Sequence, residues 1–249
     1  MKIRNVHGNT LDLLGRKIVG GQYPAGASMP PEPVLCAELG VSRTVVREAV
    51  KSLVAKGLVT TGPKVGTRLL PSDEWNWFDP DVIVWKSKAG LTREFLRDLQ
   101  DLRRVLEPAA VRMAADRATA DDLAEIKAAF DAMQQAAVDG VGDYVACDLR
   151  FHQGLLRASH NRMIVQMNKV LGALLRTSFE ISTSRKDGPR SSLPLHRAVL
   201  SAVLARNPAK AEKATLVLIE SADRDIEEVL ATRRRRQLLG PSGSRAKAA

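Results

Sequence analysis

From Leu91 to Ala231 the sequence is a near-unbroken succession of segments with apolar residues at helical spacing, covering 91–117, 119–138, 142–158, 161–183, 193–206 and 208–231. The runs are separated by helix-breaking combinations, notably Asp139-Gly140, Asp187-Gly188-Pro189 and Asn207-Pro208. Helices joined by such short connections must bury their apolar stripes against one another, so this stretch is expected to form an all-α antiparallel bundle. Aromatic residues make up only 4% of the chain, which also argues against a strand-rich core.

The first 70 residues read differently. Leu11, Leu14, Ile18 and Val19 predict a helix ending at Gly20-Gly21, and Val34, Leu35 and Leu39 predict a short second helix ending at Gly40. A third helix starts at Ser42 as N-cap and buries Val45, Val46, Ala49, Val50, Leu53 and Val54 before Gly57. Arg43, Thr44, Arg47 and Lys51 fall together on its other face. Residues 58–69 alternate and turn like a two-stranded hairpin, with Gly66 free to bring backbone close to a partner and Lys64 and Arg68 adding charge. The module is therefore expected to be three helices and a small β-wing. Two arginines and a hydroxyl at the start of a helix can enter a major groove, where arginine pairs with guanine edges.

Charge is distributed to match. Residues 1–70 carry 10 Lys/Arg against 4 Asp/Glu, residues 71–231 carry 22 against 24, and residues 232–249 carry 6 against none. A basic first segment on a near-neutral body suits a nucleic-acid module joined to a separate regulatory domain. The run Arg233 to Arg236 and the Gly/Pro/Ser/Ala residues after it predict a frayed, disordered basic tail over 232–249. Residues 71–90 are read as a linker. Its Trp75, Trp77, Phe78 and Trp85 could stack on bases, but Asp73, Glu74, Asp79 and Asp81 would repel phosphate, which favours a packed interdomain or dimer contact. Cys36 and Cys147 lie far apart without a CxxC partner, so neither a disulfide framework nor a thiolate zinc site is expected. With no signal-like leader and no apolar run of membrane length, a cytoplasmic protein is expected.

The run Met29-Pro30-Pro31-Glu32, Leu35, Gly40-Val41-Ser42-Arg43-Thr44-Val45-Val46-Arg47-Glu48-Ala49, Leu53, Gly57-Leu58-Val59 and Gly66 closely resembles the winged helix-turn-helix of the GntR family of bacterial transcription regulators. The resemblance implies binding of double-stranded operator DNA. Ser42, Arg43, Thr44, Arg47 and Lys64 would sit at the DNA, with the wing glycine Gly66 at the minor groove. One departure is Pro33, where many members have an arginine.

In the helical region Asp148 and His152 are four residues apart, hence on one helix face, and His196 follows on a later helix. Such a set can converge on a divalent metal with open coordination positions, while an Asp/His pair at this spacing also serves as an ordinary hydrogen-bonded pair. Leu102-Arg103, Leu106-Glu107-Pro108, Asp148-Leu149-Arg150-Phe151-His152, Ser159-His160-Asn161 and His196 are similar to the effector-binding FCD domain of the FadR subfamily. That similarity implies a metal, often zinc, held by Asp148, His152 and His196, and a small carboxylate effector. The fourth ligand usual there, 22 residues after His196, is replaced by Leu218.

The same similarity aims Arg103 into the cavity, where its guanidinium would grip a carboxylate; the competing use is an ion pair with Asp101 or Glu107. His160 is read as structural, beside the helix cap Asn161. The stretch Glu74 to Val82, with Leu218, is most similar to galactonate-responsive repressors of sugar-acid catabolism, which implies an aldonic or uronic acid effector and a homodimer on a palindromic operator. Residues 182–192 would line or cover the cavity. The rival expectations are a regulator that has lost effector sensing and a metalloenzyme acting on a sugar acid through Asp148, His152 and His196. No suitably spaced general base accompanies the latter.

Overall fold

The structure, a computed structural model, describes residues 6–63, 66–185 and 187–239, with backbone alone for 236–239. The chain forms two compact units that divide between Leu91 and Thr92. The fold is mainly α, with ten helices and one small sheet among the described residues.

In the first unit, α1 (Val6–Val19), α2 (Glu32–Leu39) and α3 (Arg43–Ala55) enclose a core of Leu14, Ile18, Leu35, Val46, Ala49 and Leu53. Gly40 ends α2 in the left-handed conformation at φ 64°, where its N–H reaches the Cys36 carbonyl. Two residues later the Ser42 side chain accepts from the Val45 N–H and caps α3. That turn sets the angle at which α3 leaves α2 and so which face of α3 stays outside. Strands β1 (Val59–Gly62) and β2 (Gly66–Leu69) pair antiparallel, Val59 opposite Leu69 and Gly62 opposite Gly66, and bury Val59 and Leu69 beneath the wing.

The expected linker is a correction. Ser72–Glu74 form a single 3₁₀ turn, and α4 (Pro80–Ala89) is capped by Asp79, begins with proline at a first-turn position and packs on α1. Trp85, 1% exposed, lies in the core of the first unit and donates from Nε1 to Asp12 Oδ1 at 2.9 Å. Lys56, just beyond α3, pairs with Asp79 and Asp81, each at 2.9 Å. Trp75 and Trp77 pack on the same core at a ring separation of 5.4 Å and donate to the Leu70 and Ser72 carbonyls. Two of the four acidic residues that make this stretch unlike a DNA surface, Asp79 and Asp81, are the cap and the ion-pair partners that dock it.

In the second unit, α5 (Arg93–Arg117), α6 (Ala120–Asp139), α7 (Tyr144–Ala158), α9 (Gly188–Leu204) and α10 (Pro208–Leu239) pack around Phe130, Met133, Phe151, Val199, Val203 and Leu218, and α8 (Arg162–Ser182) lies against α7 and α10. Each start has a local cause. Thr119 and Asp122 form a reciprocal capping box on α6, Asp143 caps α7 and Asn161 caps α8. Helix α9 starts before the expected Leu193, because Pro189 in a first turn is compatible with a helix and breaks one only from within.

The expected tail is also corrected in part. α10 runs through Arg233, Arg234 and Arg235, all exposed, to Leu239, since arginine, glutamine and leucine are good helix formers. The rest of the expected tail, 240–249, lies outside the described residues. Among the described residues no helix is long and apolar enough to cross a membrane.

A Cβ at Gly15 would stand 2.4 Å from the Trp85 ring, so Gly15→Ala is expected to overpack the α1–α4 contact by about 1–3 kcal/mol. Trp85→Ala should cost about 3–5 kcal/mol through the cavity it leaves. Urea denaturation of each variant against wild type checks both.

Candidate functional site

Helices α5, α7 and α9 bring five polar side chains together in the second unit: Arg103, Glu107, Asp148, His152 and His196, all 5% exposed or less. Two i, i+4 pairs create the arrangement, Arg103/Glu107 on α5 and Asp148/His152 on α7, with His196 supplied by α9. Arg103 Nε donates to Glu107 Oε1 at 2.6 Å and its Nη1 donates to Gln100 Oε1 at 3.2 Å. His152 Nδ1 lies 2.8 Å from Glu107 Oε2, its Nε2 lies 3.4 Å from Asp148 Oδ1, and His196 Nε2 lies 3.1 Å from the same oxygen. His196 Nδ1 meets the Ser192 carbonyl at 2.9 Å.

Acceptors at both Nδ1 atoms fix the ring orientation. A carbonyl can only accept, and a carboxylate held ionised does the same, so each Nδ1 carries the proton and each Nε2 turns toward Asp148. Burial alone would raise the Glu107 carboxyl, but the Arg103 guanidinium and the His152 ring hold it down to about 2. Burial would likewise lower His152, yet Glu107 and Asp148 raise it to about 9. Asp148, against the same effect of burial, is held well below the usual carboxylate range by His196 and His152. Arg103, Glu107, His152 and Asp148 thus form a buried chain of alternating charge, and His196 adds a further contact to Asp148.

The chemistry of this donor set fits a divalent metal. One ligand atom each from Asp148, His152 and His196 lies within 4.8 Å of the others, and outer partners at Glu107 and Ser192 orient the imidazoles. Leu218 lines the same cavity, so α10 adds an apolar wall there. Arg103 pairs with Glu107 in a buried ion pair and also lines the cavity, its guanidinium 4.9 Å from the Phe179 ring. Phe179 also stacks near His152 at 5.0 Å.

Sequence reasoning gave Glu107 only as an alternative ion-pair partner. Its spacing of four from Arg103 was the available signal; its second contact, to His152, spans 45 positions and has none. Phe179, Ser221 and Asp225 also line the cavity and were not singled out. Ser182 and Ser192, the ends of the stretch expected to cover the cavity, do line it. His160, read as structural, bonds Asp122 at 2.7 Å beside the Asn161 cap.

In the first unit, Arg43, Thr44 and Arg47 are exposed at the start of α3, with Ser42 engaged as its cap. Arg47 is paired with Glu32 of α2, Nε to Oε2 at 2.9 Å, and Lys51 with Glu48 at 2.8 Å. Gly66 holds φ at 73°, with open space where a Cβ would stand. Lys64 lies outside the described residues. Arg68 is tied to the Gly26 carbonyl.

With this geometry established, comparison with known proteins gives a consistent picture. The profile for "Bacterial regulatory proteins, gntR family" matches residues 8–69, and that for the FCD domain matches residues 98–221. The galactonate operon transcriptional repressor of Escherichia coli (strain K12) is 32% identical over 220 residues, covering 87% of this chain and 94% of the repressor. The Uxu operon transcriptional regulator of the same strain is 27% identical over 222 residues, 85% of this chain and 82% of that one. A solved structure described as Lar, which controls expression of the Listeria monocytogenes agr system, superposes with a TM-score of 0.65 at 17% identity, over 92% of this chain and 99% of that one, and shares the fold.

Removing Glu107 would leave the Arg103 guanidinium buried without its carboxylate. Glu107→Ala is therefore expected to destabilise the protein by about 3–5 kcal/mol, and Glu107→Leu, which keeps volume but not charge, by a comparable amount. Chemical denaturation reads both; a loss under 1 kcal/mol would show that Arg103 finds another partner.

Proposed function

The chain belongs to the GntR family of bacterial regulatory proteins, with an FCD domain after its helix-turn-helix, and from that premise we propose a homodimeric repressor of sugar-acid catabolism genes. Its relatives are transcription regulators and not enzymes, so the sugar acid acts as a signal and not as a substrate. Two copies of α3 enter successive major grooves of a palindromic operator, with Arg43 and Arg47 reading base edges and Thr44 and Gly66 close to the backbone. Arg47 exchanges Glu32 for DNA as it does so.

The observation that carries the effector reading is the buried Arg103 guanidinium in one cavity with Asp148, His152 and His196. Those three residues would hold a divalent metal, best matched by zinc, whose chemistry is to attract the oxygens of an anionic ligand. Metal ligation requires neutral imidazoles. Counting Arg103, Glu107 and Asp148 with a divalent ion, the loaded site then carries one net positive charge, the complement of a single carboxylate. Leu218 leaves room in the shell for effector oxygens. The names of the two Escherichia coli relatives, which refer to the galactonate and Uxu operons, favour aldonic and uronic acids. A family so built works in the cytoplasm, where operator and metabolite meet.

For the effector to release the operator it must bind the DNA-incompatible dimer more tightly than the DNA-bound one. A gel-shift titration of promoter fragments with zinc and D-galactonate is expected to weaken operator binding at least about tenfold, a bias of about 1.4 kcal/mol. Unchanged affinity across aldonic and uronic acids would reject the effector assignment. Arg103→Lys should keep operator binding and lose most of the response, since an ammonium cannot form the two-pronged carboxylate contact. Arg43→Ala and Arg47→Ala should each weaken the operator complex by about 1–3 kcal/mol in the same assay.

A further inference from the structure

The cavity has a second end that the metal-and-arginine site does not use. Three helices run from one end to the other. On α9 the lining residues His196, Ser192 and Gly188 step back toward the N-terminus, and on α8 Phe179 is followed by Ser182 and Thr183. On α10 Leu218, Ser221 and Asp225 share one face, with Asp225 about 10 Å of helix beyond Leu218. At the near end Phe179 touches His152 and Arg103, and Leu218 shares a core cluster with Phe151, which stacks on both histidines. At the far end Arg185, three residues before Gly188, reaches Asp225 at 3.3 Å and Glu228 at 3.4 Å.

This far end is electrostatically and geometrically unfinished. One guanidinium faces two carboxylates, and burial outweighs it at Asp225, whose carboxyl is raised. Arg185 Nε is buried without a hydrogen bond, since its approach to Asp225 has the distance of an ion pair but not the direction of a donor to an acceptor. An unmet donor beside a carboxylate is completed by a group that both accepts and donates, which describes a hydroxyl. A second carboxylate only accepts and would be repelled by Asp225 and Glu228.

We propose that Asp225 and Arg185 form a hydroxyl-recognition subsite that makes this pocket select polyhydroxylated monocarboxylates over the corresponding dicarboxylates. The inference rests on the sugar-acid reading given above and specifies it. Ser182, Ser192 and Ser221 supply hydroxyls along the way, while Asp225 fixes what the last carbon can carry. The cavity, of about 30 Å³, admits a water or two as it stands, so a six-carbon ligand requires Arg185 to draw back from Asp225 until the terminal hydroxyl stands between them, accepting from the guanidinium and donating to the carboxylate.

D-Galactonate and galactarate differ only in the oxidation of the terminal carbon, and glycolate is too short to reach it. Calorimetric titration of the full-length zinc-supplemented protein is expected to show galactonate at least about tenfold tighter than galactarate. Asp225→Asn should close that gap to about threefold or less and leave glycolate unchanged; Glu228→Gln, more exposed, should narrow it by a smaller factor and serves if Asp225→Asn does not fold. Equal binding of the two six-carbon acids by wild type overturns the proposal, as does an equal loss of all three ligands in Asp225→Asn, which marks a structural role. If none of the three acids binds, the sugar-acid reading falls and takes this inference with it; if they bind without a gap, this inference alone falls.

Discussion

The second unit is organised by a chain of opposite charges buried across its helices, from Arg103 through Glu107 and His152 to Asp148, whose carboxylate also meets His196. Any one of these groups would be prohibitive to bury alone, and together they constrain α5, α7 and α9 to one mutual register. The apolar core around Phe130 and Phe151 tolerates small sliding; a guanidinium bonded at 2.6 Å to a carboxylate that also holds an imidazole does not. The same network that specifies the packing leaves its remaining donors and lone pairs facing one cavity. On the function proposed above, stability and ligand recognition draw on the same residues, so changes to the pocket act on folding as well.

The first unit depends on a different device. Its fourth helix closes the helix-turn-helix core with Trp85 against Gly15, and the Lys56 ammonium at the end of α3 is clamped by two aspartates that begin α4. The orientation of the exposed α3 face is thus tied at both ends, by the Ser42 cap at its start and by α4 at its finish. A binding helix held at only one end would lose rigidity on each encounter with its target, and this one is over-determined.

Much of this was legible in the sequence because it is local. Apolar spacing located the helices, Gly40 and Ser42 marked the turn, Asn161 marked a cap, and the interval of four between Asp148 and His152 placed both on one face. What was illegible is long-range or context-dependent. The contact of Glu107 with His152 spans 45 positions, and that of Trp85 with Asp12 spans 73. Pro189 and the arginines of 233–235 mislead for another reason, since proline both breaks and begins helices, and a charge run that looks like a solvated tail is here made of a good helix former. Acidic residues around three tryptophans argued against a phosphate-binding surface, but gave no sign that Asp79 and Asp81 anchor a helix.

The pairing of Arg47 with Glu32 has a thermodynamic corollary. On the proposed reading Arg47 must part from this carboxylate to reach the duplex, and the freed Glu32 then takes up a solution cation that offsets one released from the DNA. The dependence of association on ionic strength should then be shallower, by about one unit of logarithmic slope, than the number of basic contacts suggests. Such a regulator clings less to random sequence at low salt, and so spends more of its time searching.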